Sequence, residues 1–233
     1  MTAIDEISDG IYRISTPVTE IPGGFTFNQY LVVDDEPLLF HTGGRRLFPT
    51  VSAAIARVMP VARLRWIGFS HVEADECGSL NQFLGAAPQA TAVTGILGAM
   101  VGLADSADRP ARGLADGEVL KTGKRAFVWH DAAHVPHAWE CGYLSESTTR
   151  TLFCGDLFTQ PGADHEPVTS ADVLGPSETM RGHMDYWAHA PSTGATLAKL
   201  ARTEPRMLAC MHGSAYSGDG AALLGALATA LGA

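Results

Sequence analysis

Positive charge is in short supply in this chain. Sixteen Lys and Arg stand against 25 Asp and Glu, and the net charge of −9 repels nucleic-acid phosphates and anionic membrane surfaces. Cysteine is scarcer still. Cys77, Cys141, Cys154 and Cys210 are the only four, and none forms a CxxC pair. Neither a disulfide framework nor a zinc ribbon is indicated, which leaves reduced, mostly buried thiols. No apolar run reaches the roughly 18 residues of a membrane span. The opening segment, MTAIDEISDG, has neither the basic stretch nor the apolar stretch of a secretory leader. These absences point to a cytoplasmic protein with a small-molecule partner, acting on neither nucleic acid nor membrane.

What is present is the composition of a globular domain: 46% hydrophobic and 18% charged residues over 233 positions, enough for one large core. No linker, repeat or low-complexity tract interrupts it, so residues 1–233 are expected to form a single domain. Strand patterns occur at Gly10 to Ser15, Phe25 to Val33, Glu36 to Phe40, Leu64 to Phe69, Thr91 to Thr94, Ala126 to His130, Gly142 to Ser145, Thr151 to Cys154 and Met207 to Cys210. Helical periodicity marks Pro49 to Val58, a segment running through Leu84, Ile96 to Leu103, Met180 to Ala190, Thr193 to Ala201 and Ala221 to Leu231. Asp105 to Asp116 and Gln160 to Val168 read as turns and loop. Strands followed by alternating strands and helices, repeated in a second half, suit two sheets packed face to face with helices outside.

Four clusters of polar residues sit at the ends of these strands, where sites collect on such scaffolds. The densest, His71-Val72-Glu73-Ala74-Asp75-Glu76, packs one imidazole and three carboxylates into six residues, and repulsion at that density favours bound cations. Alternate residues of an extended loop point to one side, so His71, Glu73 and Asp75 are expected to converge, while Glu76 turns with the helix that follows toward a second centre. The second cluster is His134-Val135-Pro136-His137-Ala138-Trp139-Glu140, the third Cys154-Gly155-Asp156, and the fourth Cys210-Met211-His212-Gly213. In the third, glycine lets the backbone approach closely just before the carboxylate.

Together these clusters resemble the metallo-β-lactamase superfamily and, within it, the flavodiiron and oxygen-binding diiron branch. Most of that superfamily carries HxHxDH, whereas the branch carries HxExDH, and His71-x-Glu73-x-Asp75 follows the latter. The branch also has a histidine followed nineteen residues later by a bridging aspartate. His137 stands nineteen residues before Asp156 and His134 twenty-two, so the resemblance carries the ligand role to His137. It implies an α+β fold, the αββα sandwich of the metallo-β-lactamase type. One metal would be held by His71, Glu73 and His137, the other by Asp75, His212 and the residue at position 76, with Asp156 bridging. A carboxylate-rich site of this kind suits two iron ions, with manganese or zinc as alternatives.

Three features depart from the branch. Position 76, a histidine there, is Glu76, which either enters the site as a fourth carboxylate or faces solvent. Position 41, usually aspartate in the superfamily, is His41. No flavodoxin-like domain follows Ala233, so the expectation is a chain without built-in FMN that draws on an external electron-donor protein. Outside the ligand set, His134 and Glu140 are candidate catalytic groups acting around the bound metals. His130, His165, His183 and His189 match no ligand motif and read as surface or capping residues. Phe25, Phe27 and Tyr216 lie near loops that could roof the pocket, with core packing as the simpler account.

The resemblance implies a non-haem diiron protein that binds or reduces dioxygen or nitric oxide, or oxidises a small molecule with dioxygen. Two other readings stay open. One is a binuclear hydrolase of an ester, thioester or lactam. The other is a binding protein with a degenerate site. A homodimer is an open assembly state.

Overall fold

The computed structural model describes residues 1–233 as two seven-stranded sheets stacked face to face. The first sheet runs in chain order: β1 (Ala3–Ser8), β2 (Ile11–Val18), β3 (Phe25–Val32), β4 (Leu38–Phe40), β5 (Trp66–Gly68), β6 (Thr91–Gly95) and β7 (Arg112–Leu114). Pairing is antiparallel from β1 to β4 and parallel from β4 to β7. The second contains β8 (Val119–Lys121), β9 (Ala126–Asp131), β10 (Gly142–Glu146), β11 (Thr151–Gly155), β12 (Val168–Thr169), β13 (Met207–Cys210) and β14 (Ala215–Ser217). Its spatial order is β12-β14-β13-β11-β10-β9-β8.

Period-two alternation sorts the strand side chains into three layers. Tyr30 and Val32 of β3 and Leu38 and Phe40 of β4 meet Phe127, Trp129, Leu144 and Phe153 between the sheets. Leu31 and Leu39, their neighbours in sequence, face the opposite way, under α1 (Phe48–Ala56) and α3 (Leu80–Ala86). On the second sheet Leu152, Cys154, Leu208 and Cys210 face outward, where α5 (Thr193–Ala201) and α6 (Gly220–Ala230) supply Leu197, Leu200, Leu224 and Leu227. The result is helix, sheet, sheet, helix, the architecture expected from the sequence.

Several elements differ from their sequence patterns. The acidic first segment forms β1, an edge strand whose single buried residue is Ile7, which is too little apolar signal to stand out. Two-residue β12 pairs with β14 inside the segment that reads as loop, and β7 occupies part of the turn-rich patch. The segment from Ile96 to Leu103 is built around a π turn at Gly98–Gly102. Periodicity places a helix at Met180 to Ala190, but α4 spans Leu174–His183. Asp172 Oδ1 accepts the Leu174 and Gly175 N–H groups at 2.9 and 3.0 Å, which starts the helix six residues earlier than the apolar pattern does. Beyond His183 the chain leaves the helix, and Trp187 packs into the core under the second sheet.

Candidate metal centre

Every polar cluster read from the sequence lies at one end of the stacked sheets. His71 and Glu73 follow β5, and Asp75 and Glu76 lie on the single-turn helix α2 (Ala74–Cys77). His137 sits between β9 and β10, Asp156 directly after β11, and His212 two residues after the end of β13. At the Asp156 turn Gly155 has φ +48°, and a Cβ there would stand 2.9 Å from Ser70 Oγ, so glycine is what lets this strand end abut the β5 loop. Glu73 is extended, whereas Asp75 has already entered the helix. Alternation along an extended loop therefore does not govern Asp75. The helical turn, with Asp75 and Glu76 consecutive, carries it to the His212 side.

The side-chain atoms converge closely. His71 Nε2 and His137 Nε2 are 3.1 Å apart, and each lies 3.1 Å from Glu73 Oε2. Asp156 divides its two oxygens: Oδ2 stands 3.5 Å from His71 Nε2 and 3.3 Å from His137 Nε2, and Oδ1 stands 3.4 Å from His212 Nε2. Asp75 Oδ2 is 3.6 Å from the same His212 nitrogen. Glu76 is fully buried and places Oε2 3.8 Å from His71 Nε2. Three groupings have donor atoms within 4.8 Å of one another: His71, Glu73 and His137; His71, Glu76 and Asp156; Asp75, Glu76 and His212. Glu76 belongs to two of them.

The outer nitrogen of each imidazole is engaged. His137 Nδ1 donates to the Tyr186 carbonyl at 2.9 Å, and His212 Nδ1 donates to the Thr26 carbonyl at 2.8 Å. A carbonyl only accepts, so both rings carry the proton on Nδ1 and, when neutral, present a bare Nε2 inward. His71 Nδ1 lies 2.9 Å from Ser70 Oγ, which in turn lies 3.0 Å from His41 Nε2. His41 Nε2 also accepts the Ser70 backbone N–H at 3.3 Å, so its proton sits on Nδ1, 2.9 Å from Met211 Sδ. The chain then runs in one direction, His71 to Ser70 to His41, and it too leaves His71 Nε2 bare. Burial, opposed only in part by Asp156, pushes the His41 pKa down to about 3, which keeps this ring neutral.

Burial and charge pull the cluster in opposite directions. Burial, reinforced by Asp156 and Asp75, pushes the Glu76 pKa well above the carboxylate range. Burial also works against ionising Asp156, but His212, His71 and His137 outweigh it and hold that carboxyl below its ordinary value. Without metal, His137 and His71 protonated on Nε2 as well as Nδ1 donate to Glu73 and lower its pKa to about 2. Both Glu76 oxygens and Asp156 Oδ1 are nevertheless buried without a hydrogen bond. Buried carboxylates are ordinarily paired or bound to metal. Inward bare nitrogens, orphaned oxygens and separations slightly above 3 Å are what ligands of shared ions display. The residues present fit a pair of metal ions.

The outer candidates fall elsewhere. His134 is exposed, has φ +64°, and does not reach the cluster, so the acid or base expected there is not in position. Its turn is held by its own N–H bonding to the Ala138 carbonyl, which aims His137 inward instead. Glu140 accepts the Val72 N–H at 3.0 Å and tethers the loop between His71 and Glu73, and it belongs to none of the three ligand groupings. Phe25 stacks on the His212 ring at 4.3 Å and Phe27 meets it edge-on at 5.4 Å, so both cover the site. Tyr216 packs behind the second sheet. His130, His165, His183 and His189 bond to Ser145, Pro161, Thr179 and Asp185, apart from the cluster. Ser70, Tyr186 and Thr26 had no signal in the sequence, because two of them act through backbone carbonyls and Ser70 acts only through its neighbours.

Known proteins share this fold. The family described as ODP family beta lactamase matches residues 25–213. A rubredoxin-oxygen oxidoreductase from Megalodesulfovibrio gigas is 26% identical over 208 residues, which is 84% of this chain and 50% of that protein. This chain therefore spans about half the length of that relative. The structure of rubredoxin oxygen:oxidoreductase from Desulfovibrio gigas superposes with a TM-score of 0.81 at 22% identity, over 99% of this chain and 60% of that one. A metal-soaked flavodiiron core from Synechocystis gives 0.84 at 18% identity, over 99% and 61%. Two sheets flanked by helices, a cluster of histidines and carboxylates at one end and a family match over residues 25–213 assign the chain: it belongs to the ODP family beta lactamase family.

Proposed function

We propose that this chain is a single-domain, non-haem diiron protein that binds or reduces dioxygen or nitric oxide, or uses dioxygen to oxidise a small molecule. The observation that carries the reading is the set of three imidazoles whose Nδ1 atoms are hydrogen-bonded and whose Nε2 atoms converge on the carboxylates of Glu73, Glu76 and Asp156, three of whose oxygens are buried without a hydrogen bond. His71, Glu73 and His137 hold one iron, Asp75, Glu76 and His212 the other, and Asp156 offers one oxygen to each. With four carboxylates among seven ligands the donor set is hard, which favours iron or manganese over zinc. Bound iron supplies one-electron redox chemistry toward dioxygen or nitric oxide. The name of the Megalodesulfovibrio relative supports the choice of dioxygen.

The chain's own residues divide the remaining work. Thr26, Tyr186 and the Ser70–His41 pair fix the three rings in the tautomer that ligates. Phe25 and Phe27 keep water off the His212 side. Glu73, with a side chain 53% exposed, is the ligand at the mouth, where a diatomic molecule or a donor protein arrives. Electrons come from an external donor protein in this reading. No helix is long and apolar enough to cross a membrane.

The test is a rapid-mixing experiment. Iron-loaded protein is reduced anaerobically and mixed with air-saturated buffer, while ferric absorption and dissolved oxygen are followed together. The reading expects prompt oxidation with oxygen uptake in the parent chain and neither in Asp156→Ala. An iron-loaded, reduced protein that stays ferrous in air and also leaves nitric oxide unbound refutes it.

A further inference from the structure

A cavity of about 540 Å³ opens beside the cluster, and none of the ligand roles accounts for its character. Val18, Ile21, Phe25, Phe27 and Leu47 form its walls, and Asp75 lies in its lining. The two phenylalanines are those packed on His212, so the cavity and the metal position share a wall. An apolar concavity of this size, open to water, matches the sites that take small organic ligands. Arg45 and Arg46 also line it. Both are exposed, and neither side chain makes an ion pair or hydrogen bond, although acidic residues outnumber basic ones by 25 to 16. Arg57, Arg63, Arg202 and Arg206 are exposed and unpaired as well, so what sets Arg45 and Arg46 apart is their place side by side in the lining of this cavity.

The turn bearing these arginines is fastened to the ligand-bearing segment. Thr42 N–H donates to the Glu76 carbonyl at 2.7 Å, Ser79 N–H donates to the Gly43 carbonyl at 3.0 Å, and Ser79 Oγ donates to the Gly44 carbonyl at 2.8 Å. The backbone that carries the two guanidiniums is therefore held at a defined place relative to Asp75 and Glu76. Guanidinium forks recognise oxyanions bidentately, and the apolar walls require a hydrocarbon body on the same molecule.

We propose that this cavity is the organic-substrate pocket of the metal centre and that it takes an amphipathic organic oxyanion, with its head on Arg45 and Arg46 and its hydrocarbon along Phe25 and Phe27. The assignment of a substrate rests on the diiron reading above, whereas the binding site does not. Octanoate is the probe, titrated calorimetrically into metal-loaded protein, with hexanoate, octanol and metal-free protein as comparisons. The expected results are saturable octanoate binding that weakens about fourfold for each methylene removed and at least about tenfold in R45Q/R46Q. Octanol should be indifferent to that double substitution. Octanoate binding should persist after chelation, and the variant should keep its metal content and melting temperature.

Absence of saturable binding overturns the proposal, as does equal affinity in the parent and R45Q/R46Q. Binding that vanishes on chelation but ignores the arginines also overturns it, because the carboxylate then sits on the metals. The oxygen reaction is measured on the same preparations. If it fails while octanoate still binds through the arginines, the diiron reading falls and the anion site stands.

Discussion

Replacing Glu76 by methionine should make the metal-free protein more stable and the metal-loaded protein less complete. The side chain is fully buried, neither oxygen has a hydrogen bond, and Asp156 and Asp75 add repulsion. A buried polar atom left unsatisfied costs about 1–3 kcal/mol, and exchanging buried ionic groups for apolar ones of similar volume stabilises proteins by up to about 4 kcal/mol. Without metal, Glu76→Met should therefore gain about 2 kcal/mol. In a chain of this size that raises the melting temperature by roughly 4–8 °C. With metal the sign reverses, because ligand binding to the native state stabilises by mass action and the variant has lost a ligand of the second ion.

The pH dependence follows from the same carboxyl. A group whose pKa is raised on folding contributes stability that is complete below its ordinary value, here 4.5, and is lost as pH rises through the raised value. Chelator-treated parent protein should lose this contribution on going from pH 4.5 upward, and the variant should not. The assay is thermal unfolding of parent and variant, with and without chelator, from pH 4.5 to 8, with metal content measured on each. A variant destabilised by 2 kcal/mol or more without metal, or one that retains two metals per chain, refutes the reasoning.

Other outcomes follow from the outer contacts. Ser70→Ala removes the acceptor for His71 Nδ1 and should weaken metal affinity about 10- to 100-fold, read by competition with a chelating dye; unchanged affinity would place Ser70 outside the positioning network. His41 is neutral when folded, with its pKa depressed to about 3, so its contribution is complete above pH 6.5 and falls by about 1.4 kcal/mol per unit as pH drops toward 3. His41→Asn should flatten the urea-unfolding profile of metal-free protein between pH 6.5 and 4.5. His134→Ala should alter stability by no more than about 0.5 kcal/mol and leave metal content unchanged, as expected for an exposed side chain.

The sequence and the structure agree where apolar alternation is strong and part where it is weak. β3, β11 and β13 are nearly continuous buried runs and stood out, whereas β1 and β12 hold one buried residue between them and did not. α4 begins where Asp172 caps it, and a short helix with one buried residue carries too little periodicity to fix its register. At the site, close packing of histidines and carboxylates at strand ends was legible because chemistry requires those residue types. The nineteen-residue spacing pointed to His137 over His134, and the cis Val135–Pro136 bond lies between them with His137 turned inward. What the sequence could not display is how each ring is held. The acceptors are the carbonyls of Thr26 and Tyr186, available to any residue type and brought close only by the folded chain. His41 was visible as a departure, but its role depends on Ser70 and Met211, 29 and 170 residues away.

The central claim is that this end of the sandwich holds two irons through seven side chains. Elemental analysis of anaerobically purified protein, run beside Asp156→Ala, tests it most directly. The account predicts two irons per chain in the parent and loss of both in the variant, since Asp156 presents one oxygen to each half of the cluster. Two zincs in the parent, or a variant that keeps its full complement of metal, would contradict it.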